Sequence, residues 1–228
     1  VNYLITDKNP EACAKRARQA QKDGYGTVKV KCTSDRKLDL DRIAEIRNAC
    51  PDIVIRIDPN ESWDPSWALL HLEAMAQFNI EYVEEPLPQG TPLTVYRDLR
   101  ASSPIPIALD DSVRSATHAE LIILREAADI FILKPQRIGG PDRVLKIIDL
   151  ASSAGIRSVV TASIETAIGL HLGLHCAALI PSPITPCGLG TAGFFARDIA
   201  KPPETIVGQM AVPTVPGLGV DPTEWWES

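Results

Sequence analysis

Thr27-Val28-Lys29-Val30-Lys31-Cys32 is the stretch whose reading decides the fold. In an extended strand, successive side chains point to opposite faces. Val28, Val30 and Cys32 then share an apolar face suited to helices, while Lys29 and Lys31 share the other. Val54-Ile55-Arg56-Ile57-Asp58 repeats the pattern, with its isoleucines on one face and Arg56 and Asp58 on the other. Two strands that each turn charge to one side and hydrocarbon to the other suggest helices outside and a polar mouth inside.

Outward from these strands, short apolar runs at 2–5, 27–32, 53–58, 81–84, 107–110, 130–134, 158–163 and, briefly, 187–189 alternate with helical patterns. The helices are expected at 10–22, 38–49, 64–77, 92–100, 116–126, 141–154 and 166–179. Asn9 before Pro10, with Glu11 in the first turn, is a helix start, and Asp64-Pro65 repeats the device. Gly155 stops the sixth helix. Alternating strands and helices imply a parallel sheet. Eight strands with seven intervening helices imply an α/β fold of the TIM-like (β/α)7β barrel type rather than an open sheet. The barrel is expected over 1–200, and the Pro- and Gly-rich segment 201–228 as a tail packed against it.

Composition narrows the function. The chain has 228 residues, 45% apolar and 23% charged, which is globular and suits one large core. A net charge of −6 gives no basic footprint for nucleic acid and does not favour anionic membranes. The longest apolar run without a charge, 166–180, is 15 residues, short of the roughly 20 that span a bilayer. Five scattered cysteines with no C-x-x-C pair argue against a disulfide framework or structural zinc, and fit a reducing, cytoplasmic compartment.

Polar residues end the strands at regular intervals. Lys31, Asp58, Glu84, Asp110, Lys134, Ser163 and Gly188 follow one another every 24 to 29 residues, about one β/α unit. In such a barrel the C-terminal strand ends converge on the active site. Asp58, Glu84 and Asp110 fall on three adjacent strands, so three carboxylates meet at one place. They repel one another unless they hold a cation or protons. Oxygen donors without His or Cys suit Mg²⁺, with Mn²⁺ as a substitute, better than zinc. Lys31 and Lys134 lie four strands apart, across the mouth. Lys29, beside Lys31, is expected to lower its pKa as a like charge and so to tune it as a general base. The metal would stabilise the enolate formed when a proton next to a carboxylate is removed.

These residues resemble the enolase superfamily, in its muconate-lactonizing subgroup, over about residues 1–200. The matching pieces are Lys29-Val30-Lys31, Asp58-Pro59-Asn60, Glu84-Glu85-Pro86, Asp110-Asp111-Ser112 and Leu133-Lys134-Pro135 with Gly139-Gly140. The resemblance implies Asp58, Glu84 and Asp110 as magnesium ligands, Lys31 as base, Lys29 as its partner and Lys134 as the opposing lysine. It implies Asn60 as a substrate contact and places Glu85 and Asp111 behind the ligands, although Asp111 stands where this family usually has Glu. It further implies an α+β capping domain ahead of the barrel, expected to lie outside this chain.

Ser163-Ile164-Glu165-Thr166 with Gly169-Leu170, and Cys187-Gly188-Leu189-Gly190-Thr191, are most similar to the o-succinylbenzoate synthase family of menaquinone synthesis. By that resemblance Ser163 and Gly188 contact a small carboxylate substrate, and the reaction is loss of water from 2-succinyl-6-hydroxy-2,4-cyclohexadiene-1-carboxylate. An N-acylamino-acid racemase or a muconate-type cycloisomerase would use the same site. Dipeptide epimerases of this group carry Asp-x-Asp where Cys187-Gly188-Leu189 stands here. A Schiff-base aldolase would have no use for the carboxylates, and a non-catalytic barrel none for opposed lysines. His171 and His175, four apart, are read as helix packing rather than metal ligands. Gly139-Gly140 is read as a strand-to-helix turn, and Trp225-Trp226 as a packing anchor.

Overall fold

A computed structural model of the chain describes residues 1–183 and 185–221. Trp225-Trp226 lies outside the described residues. Seven parallel strands run in sequence order around one sheet: β1 (Tyr3–Ile5), β2 (Thr27–Lys31), β3 (Val54–Asp58), β4 (Ile80–Glu84), β5 (Ile107–Leu109), β6 (Ile130–Leu133) and β7 (Arg157–Val160). Between and after them lie α1 (Pro10–Lys22), α2 (Arg36–Ala49), α3 (Pro65–Met75), α4 (Leu93–Ser102), α5 (Ala116–Leu124), α6 (Pro135–Ile138), α7 (Pro141–Ser153) and α8 (Ala167–Ala177). The side-chain oxygens of Asn9, Asp35, Asp64 and Ser115 accept amide hydrogen bonds at the starts of α1, α2, α3 and α5. The architecture is the α/β barrel expected from the sequence.

Two local differences have clear causes. The expected eighth strand at 187–189 is reduced to a parallel bridge between Thr161 and Gly188. It still closes the barrel: Gly188 N–H donates to Val160 O, Ala162 N–H donates to Gly188 O, and Asn2 N–H donates to Cys187 O. Glycine is required at this seam, because a Cβ on Gly188 would lie 2.4 Å from Thr161 Oγ1. The second difference is α6, a single helical turn read from sequence as part of a loop. Pro135 starts it, and Gly139, in the left-handed region at φ 100°, ends it. Four residues are too few for helical periodicity to show.

The hydrophobic core has two parts. The larger lies between the strands and the helices and holds Val28, Val30, Ile55, Ile57, Val83, Leu109, Phe131, Leu133 and Val160. The smaller lies inside the barrel and holds Tyr82, Ala108, Ile130, Ile132 and Val159. The alternation read in β2 and β3 is therefore the division between outside and inside. Beside this inner layer Arg56 is wholly buried. Its Nε donates to Glu81 Oε2 (2.6 Å) and its Nη1 to Pro186 O (2.6 Å), while its guanidinium carbon stands 4.9 Å from the centre of the Tyr82 ring. A register shift between Ile55 and Arg56 leaves Glu81 without a strand partner and free to meet this arginine.

His171 and His175 accompany the chain after the barrel. Their Nε2 atoms lie 3.3 Å from Lys201 O and from Leu218 O. Among the described residues no helix is long and apolar enough to cross a membrane.

The seam gives a direct test. Gly188→Ala should cost about 1–3 kcal/mol of unfolding free energy in urea, as overpacking does. Thr161→Ala in the same chain should recover most of that loss.

Candidate active site

The C-terminal strand ends open on a cavity of about 360 Å³ whose wall includes Lys29, Lys31, Glu84 and Lys134, with Asn60, Ser163 and Gly188 at other points around it. Lys31 arrives from β2 and Lys134 from just beyond β6, four positions apart around the barrel. Asp58 and Asp110 sit at the ends of β3 and β5 with 1% and 6% exposure, and Glu84, between them, with 2%. All three carboxylates are thus out of bulk water, where unbalanced charge is expensive.

Three ammonium groups balance them. Lys29 Nζ donates to Glu84 Oε1 at 2.6 Å and lies 2.8 Å from Asp58 Oδ2. Lys31 Nζ donates to the same Asp58 oxygen at 2.6 Å. Lys134 Nζ donates to Asp110 Oδ2. Burial raises the Asp58 carboxyl, but Lys29 and Lys31 outweigh it and hold it below the usual range. Burial pushes the Glu84 carboxyl well up; Lys29 opposes this, and the charges of Asp58 and Asp110 add to it. Asp110 is raised by burial against the pull of Lys134. Lys29 loses to burial and gains more from Glu84 and Asp58, so its ammonium is strongly held. Lys29 was expected to act on Lys31 as a bare like charge. In the structure both ammoniums share one carboxylate oxygen, and Lys29 chiefly neutralises Glu84 and Asp58.

The donor set suits a hard divalent cation. Three carboxylates stand on neighbouring strands, and Asp58 and Asp110 both act on Glu84, so the three share one field. Among the described residues no three acidic, His or Cys side chains stand together as a finished cage.

The residues expected behind the carboxylates divide. Glu85 is buried, with a positive φ of 38°. Its Oε2 accepts the Asp110 N–H (2.7 Å) and the Ser112 N–H (3.2 Å), and its Oε1 accepts the hydroxyls of Ser112 (2.6 Å) and Tyr96 (2.9 Å). Glu85 therefore fixes the backbone that carries Asp110. Asp111 pairs with Arg137 on α6, and its charge is among those that act on Asp110. Asn60 takes a positive φ of 50°, and its N–H donates to Asp58 Oδ1 at 2.9 Å. Asn60, Glu61, Glu85 and Ile164 are four of the seven non-glycine residues with positive φ among those described. All four lie just past strand ends at the mouth, where functional sites concentrate backbone strain.

Arg137, Asn2, Thr161 and Phe194 also line the cavity and were not singled out from sequence. Arg137 was hidden because α6 was read as loop; its place three residues after Lys134 was the available signal. Asn2 and Thr161 carry no charge that would mark them.

The chain belongs to the enolase C-terminal domain-like family, whose model matches residues 12–226. It is 34% identical over 214 residues to the o-succinylbenzoate synthase of Mycolicibacterium smegmatis, a match covering 91% of this chain and 64% of the relative. A dipeptide epimerase from Cytophaga hutchinsonii, solved with Mg and the dipeptide D-Ala-L-Val, superposes with a TM-score of 0.90 at 30% identity. That match covers 97% of this chain and 60% of the epimerase. Muconate lactonizing enzyme from Pseudomonas putida superposes with a TM-score of 0.90 at 25% identity, covering 97% and 63%. The chain thus spans somewhat under two thirds of the length of these relatives, all of which are enzymes.

Glu85 accepts four hydrogen bonds and is offered only donors. Glu85→Gln replaces one accepting oxygen with an NH₂ group and removes the charge. The expected loss is about 2–4 kcal/mol of unfolding free energy, read by urea titration. Ser112→Ala should cost less, about 1 kcal/mol.

Proposed function

We propose that this chain is the catalytic barrel of an o-succinylbenzoate synthase, acting on 2-succinyl-6-hydroxy-2,4-cyclohexadiene-1-carboxylate in menaquinone biosynthesis. The observation that carries the reading is the placement of Lys31 and Lys134 across one cavity from each other, above three buried carboxylates. The 34% identity to a synthase along 91% of the chain supports the choice of reaction. Asp58, Glu84 and Asp110 would hold Mg²⁺, with Mn²⁺ as a substitute. The ion would supply positive charge where the substrate carboxylate gains negative charge.

The chain's own residues handle the proton. Lys31, as the free amine, takes the proton from the carbon bearing the substrate carboxylate, and the electron pair moves toward that carboxylate. The same ammonium then returns the proton to the departing ring hydroxyl, which leaves as water while the ring becomes aromatic. Lys134 keeps its charge on the other face and stabilises the negative charge that develops. Lys29 stays on Glu84 and Asp58 and limits repulsion among the acids. Ser163, Gly188 and Asn60 are proposed substrate contacts on the cavity wall. A cytoplasmic location belongs to this reading, and the five unpaired cysteines support it.

A racemase is the second reading, favoured by the opposed lysines themselves. The superposing dipeptide epimerase shows that this scaffold also serves stereochemical inversion. In that case Lys134 must donate and accept protons, rather than only carry charge.

Full-length Lys31→Ala should lose turnover by roughly a thousandfold while its thermal melt stays near that of the parent. Turnover close to the parent would remove Lys31 as base. Lys134→Arg separates the two readings, since arginine stays protonated at working pH. Partial dehydration should survive in that variant, whereas racemisation should stop in at least one direction. If the parent exchanges solvent deuterium into both enantiomers of an N-succinyl amino acid and does not dehydrate the cyclohexadiene acid, the racemase reading replaces this one.

A further inference from the structure

We propose that Arg42 and Asp39, on α2, are positioning residues that hold the backbone of the proton-transferring lysine. The inference rests on the assignment of Lys31 as base. Both side chains are 1% exposed, although each carries charge. Arg42 Nη1 donates to Asp39 Oδ1 at 2.7 Å and to the carbonyl oxygen of Lys31 at 2.9 Å. Its Nε donates to the Cys13 sulfur of α1 at 3.4 Å, and that thiol donates to Asp7 O at 3.0 Å. Asp39 Oδ2 accepts the N–H of Thr33 at 2.8 Å. The ion pair therefore holds the chain on both sides of Cys32, through the carbonyl of Lys31 and the amide of Thr33, just after the base.

Stability alone is a poor reason to bury such a pair. Removing two charges from water costs several kcal/mol per ion, and apolar residues of similar volume often do as well or better. Apart from the Cys13 sulfur, the pair's contacts outside itself fall on Lys31 and Thr33, the residues on either side of Cys32. Lys31 projects from the last residue of β2, where the ladder ends and the chain enters the 32–35 loop. The Cys32 N–H donates to Asp58 O at 2.8 Å and ties one edge of the Lys31–Cys32 peptide; Arg42 ties its carbonyl, and loss of that second tie would let the base shift. A misplacement of about 1 Å can cost a hundredfold in rate.

The test compares full-length Arg42→Met/Asp39→Leu, which removes both charges together, with Arg42→Lys and with Lys31→Ala. The assays are dehydration of the cyclohexadiene acid, thermal melting, and the isotope effect on substrate deuterated at the abstracted position. The expected result for the double variant is a kcat 10- to 100-fold lower, a KM within about twofold, an unchanged or higher Tm and a larger isotope effect. Arg42→Lys, which keeps both charges but loses the guanidinium fork, should recover part of the kcat. A purely structural role would instead lower Tm and leave kcat per folded molecule unchanged, and that result overturns the inference. If the double variant does not fold, Arg42→Lys decides: a lower kcat at unchanged Tm supports the clamp, and a parental kcat rejects it. If Lys31→Ala keeps turnover, the base assignment has failed. If Lys31→Ala is inactive while the charge-free variant matches the parent, only the clamp has failed.

Discussion

One carboxylate oxygen, Asp58 Oδ2, accepts two ammonium groups at 2.6 and 2.8 Å, and the rest of the site is arranged around that crowding. Three acids buried side by side cannot all stay charged in a dry barrel without compensation. Lys29, Lys31 and Lys134 supply three positive charges to three negative ones. Lys29 and Lys31 project from the middle and the end of β2 and Lys134 from just past β6, so the balance depends on the barrel keeping these strands in step with β3, β4 and β5. A slip of one residue in β2 would turn Lys29 and Lys31 toward the helices and Val30 toward Asp58.

The same parity explains why this much of the molecule could be read from its residues. The outer core and the inner layer are separated by alternation in β2 and β3, and that alternation is visible in Val28-Lys29-Val30-Lys31 and in Ile55-Arg56-Ile57-Asp58. Interval regularity carried the strand order, and capping residues located the helix starts after Asn9 and Asp64. What was not legible depended on contacts distant in sequence. The eighth strand shrank to one bridge because Gly188 has to pass close to Thr161. The partner of Lys29 could not be read from its neighbour Lys31, because Glu84 lies 55 residues away. Asp111 was placed behind Asp110 by motif; its ion pair with Arg137, on a helical turn not expected from sequence, could not be read there.

Arg56 shows that the polar interior has a structural part as well as a site. It lies on the same face of β3 as Asp58, and its fork is spent on Glu81 and Pro186 O rather than on the three acids. Its ring contact with Tyr82 joins this ion pair to the apolar inner layer. Arg56 is also the strand partner of Lys29, and its Nη1 donates to Asn2 Oδ1 at 3.3 Å, so the buried arginine adjoins the acid–lysine cluster on the inner face.

A lysine has four methylenes of freedom, so chemistry that depends on its nitrogen depends first on its backbone. At the mouth, the polar groups that could have bound water are used to hold chain. Glu85 fixes the Asp110 and Ser112 amides, Asp58 Oδ1 fixes that of Asn60, and Arg42 with Asp39 holds the Lys31 carbonyl and the Thr33 amide. The positive φ values at Asn60, Glu61, Glu85 and Ile164 belong to the same arrangement, since strained backbone persists only where its surroundings over-determine it. A frame of this kind is indifferent to which carboxylate substrate is presented. One scaffold can then superpose closely on an epimerase and a lactonizing enzyme; in the proposed reading, what separates dehydration from racemisation is whether Lys134 moves a proton or only holds a charge.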